Sequence, residues 1–196
     1  MEIIFATNNA HKAAETEGIL GSSFRIITPS SLGFNGDIPE THDTIRENSI
    51  QKAQFIWDKF HRTCFADDTG LMVDALKGAP GVYSARYAGE QKDFAANRRK
   101  VLEGLEGVPY EKRTARFLCV VSLIEDGNLT VFEGTCEGHI ALSEHDGLQG
   151  FGYDSIFIPE GLQVTMSEVS MEQKSAISHR GAAMRALKCH LEKNQG

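Results

Sequence analysis

Apolar and polar positions follow each other in short runs along this chain, and the period of the runs changes. Glu2–Ala6 is a nearly continuous apolar run of strand length, and His11–Leu20 reads as a helix closed by Gly21. Phe24–Thr28 is a second strand, followed by a polar loop through Pro29, Gly33, Gly36 and Pro39. The spacing predicts a helix over Thr44–Phe60: Ile45, Ala53, Ile56 and Phe60 share a face, and Thr44 with Glu47 makes a capping box. Thr63–Ala66 and Leu71–Ala75 read as two short strands on either side of Asp67-Asp68. Lys77–Glu90 is a Gly/Pro-rich excursion and Phe94–Leu105 a helix. Arg116–Glu125 and Leu129–Ile140 are long strands joined by Asp126-Gly127-Asn128, a hairpin turn. The glycine-rich stretch Gly147–Gly152 leads into a strand at Ser155–Ile158. Ser170 with Gln173 opens a short turn of helix, and a final helix runs from about Ser178 to Glu192. Helices alternating with strands around one long hairpin predict an α/β fold, a mixed sheet covered by helices.

Composition adds bounds rather than detail. With 196 residues, 41% hydrophobic and 24% charged, the chain suits a single well-cored domain over 1–196. A net charge of −7 argues against nucleic acid or an anionic membrane as partner, yet leaves room for a small polyanion at a local basic site. Cys64, Cys119, Cys136 and Cys189 are too scattered for a zinc framework or a small disulfide scaffold, so reduced thiols in a cytoplasmic protein are expected. Met1–Phe5 reads directly as a strand rather than a signal peptide, and no apolar run approaches the ~20 residues of a membrane span.

The chemistry concentrates in a few stretches. Adjacent carboxylates at Asp67 and Asp68 are unfavourable in apolar surroundings unless a cation or proton relieves them, and magnesium, held by one or two carboxylates, is the natural candidate. Successive strand residues face opposite ways, so the two aspartates should have different tasks, one at the metal and water, the other anchoring the turn. An Asx-type turn between strands is the plain alternative. Thr7-Asn8-Asn9-Ala10-His11-Lys12 joins a strand to a helix start and could cradle phosphate, or simply cap the helix. Phe151-Gly152-Tyr153-Asp154 offers a flat aromatic face for a base, or core aromatics at a turn. Lys174, His179 and Arg180 gather cations around a helix start, where they oppose the macrodipole unless an anion joins them; a solvated basic face is the alternative. Glu40 follows a proline just ahead of the capped helix.

Six of these stretches occur together in one order: Ala6–Lys12, Glu40 with Thr44–Ala53, Ala66–Gly70, Gly78–Gly89, Gly150–Asp154 and Lys174–Arg180. In that order the chain resembles the inosine/xanthosine triphosphate pyrophosphatases, which hydrolyse deaminated purine nucleoside triphosphates to monophosphate and pyrophosphate and keep them out of DNA and RNA. The resemblance implies an elongated mixed sheet flanked by helices, two lobes with a central nucleotide cleft, and a homodimer. It also implies Mg2+ on Glu40 and Asp68, with Asp68 as the catalytic proton acceptor. Thr7, Asn8, Asn9, Ala10, His11 and Lys12 would hold the triphosphate. Thr69, Phe151, Gly152, Tyr153, Asp154, Lys174, His179 and Arg180 would contact substrate, the last three mainly near base and phosphate. Ser155 stands where the family commonly has proline, and Gln173 where it often has glutamate. A related pyrophosphatase for modified pyrimidine or methylated nucleotides is the alternative enzyme. A binding module without catalysis is disfavoured, because binding alone needs no water-activating acid.

Overall fold

Ile3, Ile4 and Phe5 of β1 (Glu2–Phe5) are wholly buried because both faces of the strand are packed, Ile3 and Phe5 in one core cluster and Ile4 in another. The strand runs parallel to β2 (Arg25–Ile27) on one side and to β3 (Cys64–Val73) on the other. Such a strand has no solvent face, which explains an apolar run instead of strict alternation. Parallel neighbours require crossovers, and the helices α1 (Ala10–Leu20) and α2 (Ile45–Phe60) lie in the two connections. The structure, a computed structural model, describes residues 1–147 and 151–194, with the side chain of His11 outside that description. Gly150 of the Gly150–Asp154 stretch, with Leu148 and Gln149, therefore lies outside the described residues.

β4 (Thr114–Glu125), β5 (Asn128–Ile140) and β6 (Phe157–Pro159) complete one mixed sheet of order β2-β1-β3-β4-β5-β6. The hairpin between β4 and β5 turns on Asp126 (φ 48°) and Gly127 (φ 79°), the paired left-handed conformation of a tight two-residue connection. β6 is antiparallel to β5, with Gly138 opposite Pro159. A Cβ on Gly138 would run into the Ile158 carbonyl and lie 2.7 Å from the Phe157 ring. Gly138→Ala is therefore expected to destabilise the protein by about 1–3 kcal/mol, the usual cost of overpacking, read as a lower denaturant midpoint at constant slope.

The chain divides into two compact units. The first comprises Met1–Asp68, Cys119–Gly134 and the chain from Arg180 onward. One of its core clusters stacks Phe5 on Phe65 at 4.5 Å and packs Leu20, Leu123, Met184 and Leu187 around them, the last two from α5 (His179–Lys193). The other joins Ile4, Ala53, Ile56, Cys64 and Ile124. The second unit comprises Thr69–Leu118 and Thr135–His179, with Leu71, Val73, Val101, Phe117, Tyr153, Phe157 and Met166 in its core. Here Phe117 meets Phe157 edge-on at 4.7 Å. α3 (Phe94–Gly104) and α4 (Met171–Ile177) belong to this unit.

Several sequence expectations change. Thr63–Ala66 and Leu71–Ala75 are not separate strands: β3 runs unbroken through Asp67-Asp68, so no turn separates them. Ser155–Ile158 is strand only from Phe157, because Asp154–Ile156 forms a turn of 3-10 helix. At α2 the capping box is half made. Thr44 Oγ1 accepts the Glu47 N–H at 3.1 Å, but the hydroxyl donates to the Glu47 carboxylate instead of leaving it for the Thr44 N–H. The full reciprocal box forms at α4, between Ser170 and Gln173. All four cysteines are thiols, and burial pushes Cys64 up to about 12.

Candidate active site

The alternation of β3 sends its two aspartates to different partners, as strand geometry requires. Asp67 is 1% exposed. Its Oδ1 lies 2.9 Å from Lys12 Nζ and its Oδ2 3.2 Å from Arg180 Nε. Arg180 also holds Glu15 at 2.7 Å. On the other side Lys52, from the buried face of α2, places Nζ 2.9 Å from Asp68 Oδ1 and 2.6 Å from Glu40 Oε1. All of these residues belong to the first unit. The protein's own lysines and arginine relieve the repulsion between the aspartates, so the pair does not by itself demand a bound cation.

The electrostatics separate the neighbours further. Burial would raise Asp67, but Lys12, Arg180 and Lys52 overcome it and hold this carboxyl well below the usual carboxylate range. For Asp68 burial wins, with Lys52 and Lys12 opposing it only in part, and its carboxyl is raised. Burial likewise works to lower Lys52, yet Asp68, Glu40 and Asp67 hold it up at about 12. Asp67 is thus a fixed anion, whereas Asp68 is the better proton acceptor.

The cluster can be tested for magnesium. Four carboxylates (Glu15, Glu40, Asp67, Asp68) meet three cations (Lys12, Lys52, Arg180), which leaves one net negative charge. Glu40 and Asp68 converge on a single ammonium, and Glu40 is exposed. Two hard oxygen donors, one of them open to solvent, suit an ion that takes the rest of its shell from water and phosphate. No group of three or more His, Cys, Asp or Glu able to hold a metal occurs among the described residues, so a protein-only cage is not what this site offers.

The strand-to-helix segment after β1 adopts a capping geometry. Thr7 is buried and its Oγ1 accepts the Asn9 N–H at 3.1 Å; Asn9 Oδ1 accepts the Lys12 N–H at 3.3 Å. Asn8 is exposed and its Nδ2 donates to the Gly36 carbonyl at 3.4 Å, while Ala10 is exposed at the first turn of α1. Lys12 is not an unopposed charge at a helix start, because Asp67 holds it.

In the second unit, Phe151 is 40% exposed and packs edge-on against Phe94 at 4.8 Å. Asp154, buried, accepts the Phe151 N–H at 2.9 Å and binds Lys174 Nζ at 2.6 Å. Tyr153 is a core residue whose hydroxyl donates to the Ser84 carbonyl at 2.7 Å. The His179 ring stacks on Phe117 at 4.7 Å, and Thr69 is half-buried on β3. Carboxylates of the protein therefore already answer the cations expected around this helix start, Asp154 for Lys174 and Asp67 with Glu15 for Arg180.

Sequence reasoning missed Lys52 and Glu15. Lys52 carried a signal: it falls with Ile45, Ser49 and Ile56 on the buried face of α2, where a lysine needs carboxylate partners. Ser84 and Asn97 were missed as well. Asn97 accepts the Ala88 N–H at 2.6 Å and donates to the Ala85 carbonyl at 3.1 Å, while Ser84 accepts the Leu71 N–H at 2.9 Å. Together they tie down the Gly/Pro-rich excursion, whose polar residues carried no local sign of this use.

The model of the Ham1 family matches residues 3–190. A protein from Christiangramia forsetii named dITP/XTP pyrophosphatase is 46% identical over 193 residues, 98% of this chain and 100% of that one. One of the same name from Porphyromonas gingivalis is 48% identical over 187 residues, 95% of each. The structure of the Staphylococcus aureus Ham1 protein superposes with a TM-score of 0.90 at 42% identity, covering 99% of this chain and 100% of that one.

Proposed function

Because the chain belongs to the Ham1 family, we propose that it is a nucleoside triphosphate pyrophosphatase that hydrolyses dITP, ITP and XTP to the monophosphate and pyrophosphate. Near-full-length identity to dITP/XTP pyrophosphatases supports the reaction. The observation that carries the mechanism is the division between two adjacent aspartates, one locked between cations and one raised beside Lys52. Asp68 accepts a proton from water as its oxygen attacks the α-phosphorus; the bond from that phosphorus to the bridging oxygen breaks, and pyrophosphate leaves. A positioned base of this kind is worth ~10²–10⁴-fold. Lys12, still 19% exposed, stabilises charge on the phosphates. Thr7 to Ala10 keep the helix start in place beside it, and His11 belongs to the same proposed phosphate segment. Glu40 and Asp68 would hold Mg2+, which would neutralise phosphate oxygens and lower the pKa of bound water.

Phe151–Asp154, with Thr69, Lys174 and His179, are assigned to the base and sugar end, Phe151 as the stacking face. Arg180 joins the assignment through Asp67, which it holds in place. Inosine and xanthosine present a 6-oxo acceptor where adenine presents an amino donor, and a fixed donor rejects the latter strongly. dITP is therefore expected to be cleaved at least ~100-fold more efficiently than dATP, measured as kcat/KM from pyrophosphate release with magnesium. Equal efficiencies would reject the base-selective reading. Preference for a modified pyrimidine triphosphate in the same assay would favour the alternative pyrophosphatase. The reading includes a homodimer in the cytoplasm, supported by the family resemblance; light scattering on the purified protein tests the dimer. Among the described residues no helix is long and apolar enough to cross a membrane.

A further inference from the structure

α3 presents Phe94 and Arg98 one helical turn apart, and both reach the Phe151–Gly152 turn. Phe94 packs on the Phe151 ring at an interplanar angle of 60°. Arg98 Nη1 donates to the Gly152 carbonyl at 2.9 Å, and its Nε lies 2.6 Å from Glu144 Oε1, a close ion pair rather than an aligned hydrogen bond. The same Glu144 oxygen accepts the Ser155 hydroxyl at 2.8 Å, and the His145 N–H donates to the Ser155 carbonyl at 2.9 Å. One guanidinium thus joins Glu144, ahead of the Phe151 turn, to the Gly152–Tyr153 peptide.

Gly152 adopts φ 65° and has no side chain with which to fix its own peptide plane. An external donor on its carbonyl therefore joins Asp154 on the Phe151 N–H and Phe94 on the Phe151 ring in setting how this turn is held. We propose that Arg98 is a positioning residue for base recognition: it fixes the Gly152 peptide and so aims Phe151, while Glu144 and Ser155 fix the guanidinium. The inference rests on the reading of Phe151 as the base platform. A planar guanidinium serves carbonyl and carboxylate at once, which a lysine's single ammonium cannot reproduce in the same geometry. Ser155 gains a role here that a proline at this position could not fill, since it supplies the hydroxyl to Glu144.

The test begins with the wild type and dITP. Absence of pyrophosphate release there rejects the proposed activity itself, independently of Arg98. With an active wild type, Arg98→Ala is expected to raise KM for dITP about ten-fold and leave kcat within about two-fold, as loss of a charged hydrogen bond from a binding group would. Inhibition by pyrophosphate, a ligand without a base, should keep its wild-type Ki. Arg98→Lys should restore only part of the KM. An unchanged KM, or kcat and the pyrophosphate Ki shifting along with KM, would overturn the proposal. If Arg98→Ala does not fold, Arg98→Met keeps the length of the side chain without a donor for Gly152. A raised KM with unchanged pyrophosphate Ki then supports the proposal, and a wild-type KM overturns it.

Discussion

Asp68→Asn is expected to lower dITP turnover by ~10²–10⁴-fold while the fold stays intact. Asparagine keeps the size of the side chain and an oxygen for Lys52, but it cannot take a proton from water. The raised carboxyl of Asp68 means that the folded protein holds this charge at a cost, burial outweighing Lys52 and Lys12. Removing the charge removes that cost, and Lys52 retains Glu40 as a partner at 2.6 Å. The melting temperature should accordingly stay within a few degrees of wild type. Single-turnover pyrophosphate release and thermal unfolding on the same preparation check both halves. Turnover like the wild type would sink the assignment of Asp68, and activity lost only together with the fold would make it structural.

What the sequence made legible was local. The β4–β5 hairpin follows from Asp126-Gly127, two adjacent residues that tolerate positive φ, between long apolar strands. The end of α1 at Gly21 (φ 75°) and the capping box at Ser170 likewise need only neighbours a few positions away. The break expected in β3 failed for the opposite reason. An Asp-Asp pair is a poor strand former by itself, and what keeps it extended comes from far along the chain. Lys12 is 55 positions from Asp67 and Arg180 is 113. Local propensity was overridden by charge pairs that only the folded chain assembles. The same distance hid the partner of the cations: nothing near Lys12 or Arg180 in the sequence points to Asp67, which holds both. Lys52 is the instructive case, since its place on an apolar helix face was visible and only its partners were not.

Those partners make the neighbouring substitution behave in the opposite way. Asp67→Asn keeps the shape of the side chain but leaves the Lys12 ammonium and the Arg180 guanidinium facing a neutral amide in a fully buried position. Its carboxyl is held far below the usual range by Lys12, Arg180 and Lys52 against the pull of burial, so the charged form is what the folded state stabilises. Breaking a buried pair from one side costs about 3–5 kcal/mol, more than any surface pair returns, because the remaining charge stays desolvated. Arg180 keeps Glu15 at 2.7 Å, and Lys12 can turn its partly exposed end to solvent, which places the loss at the lower end. Asp67→Asn is therefore expected to cost about 3 kcal/mol, a fall of roughly 6–12 °C in melting temperature for a chain of this length. Adding Lys12→Met should recover part of the loss, since the double variant no longer strands that ammonium, and the two effects will not add. Denaturant unfolding of the two single variants and the double variant measures this. A melting temperature unchanged in Asp67→Asn, or strict additivity with Lys12→Met, would show that Asp67 is not the anion that holds these cations in place.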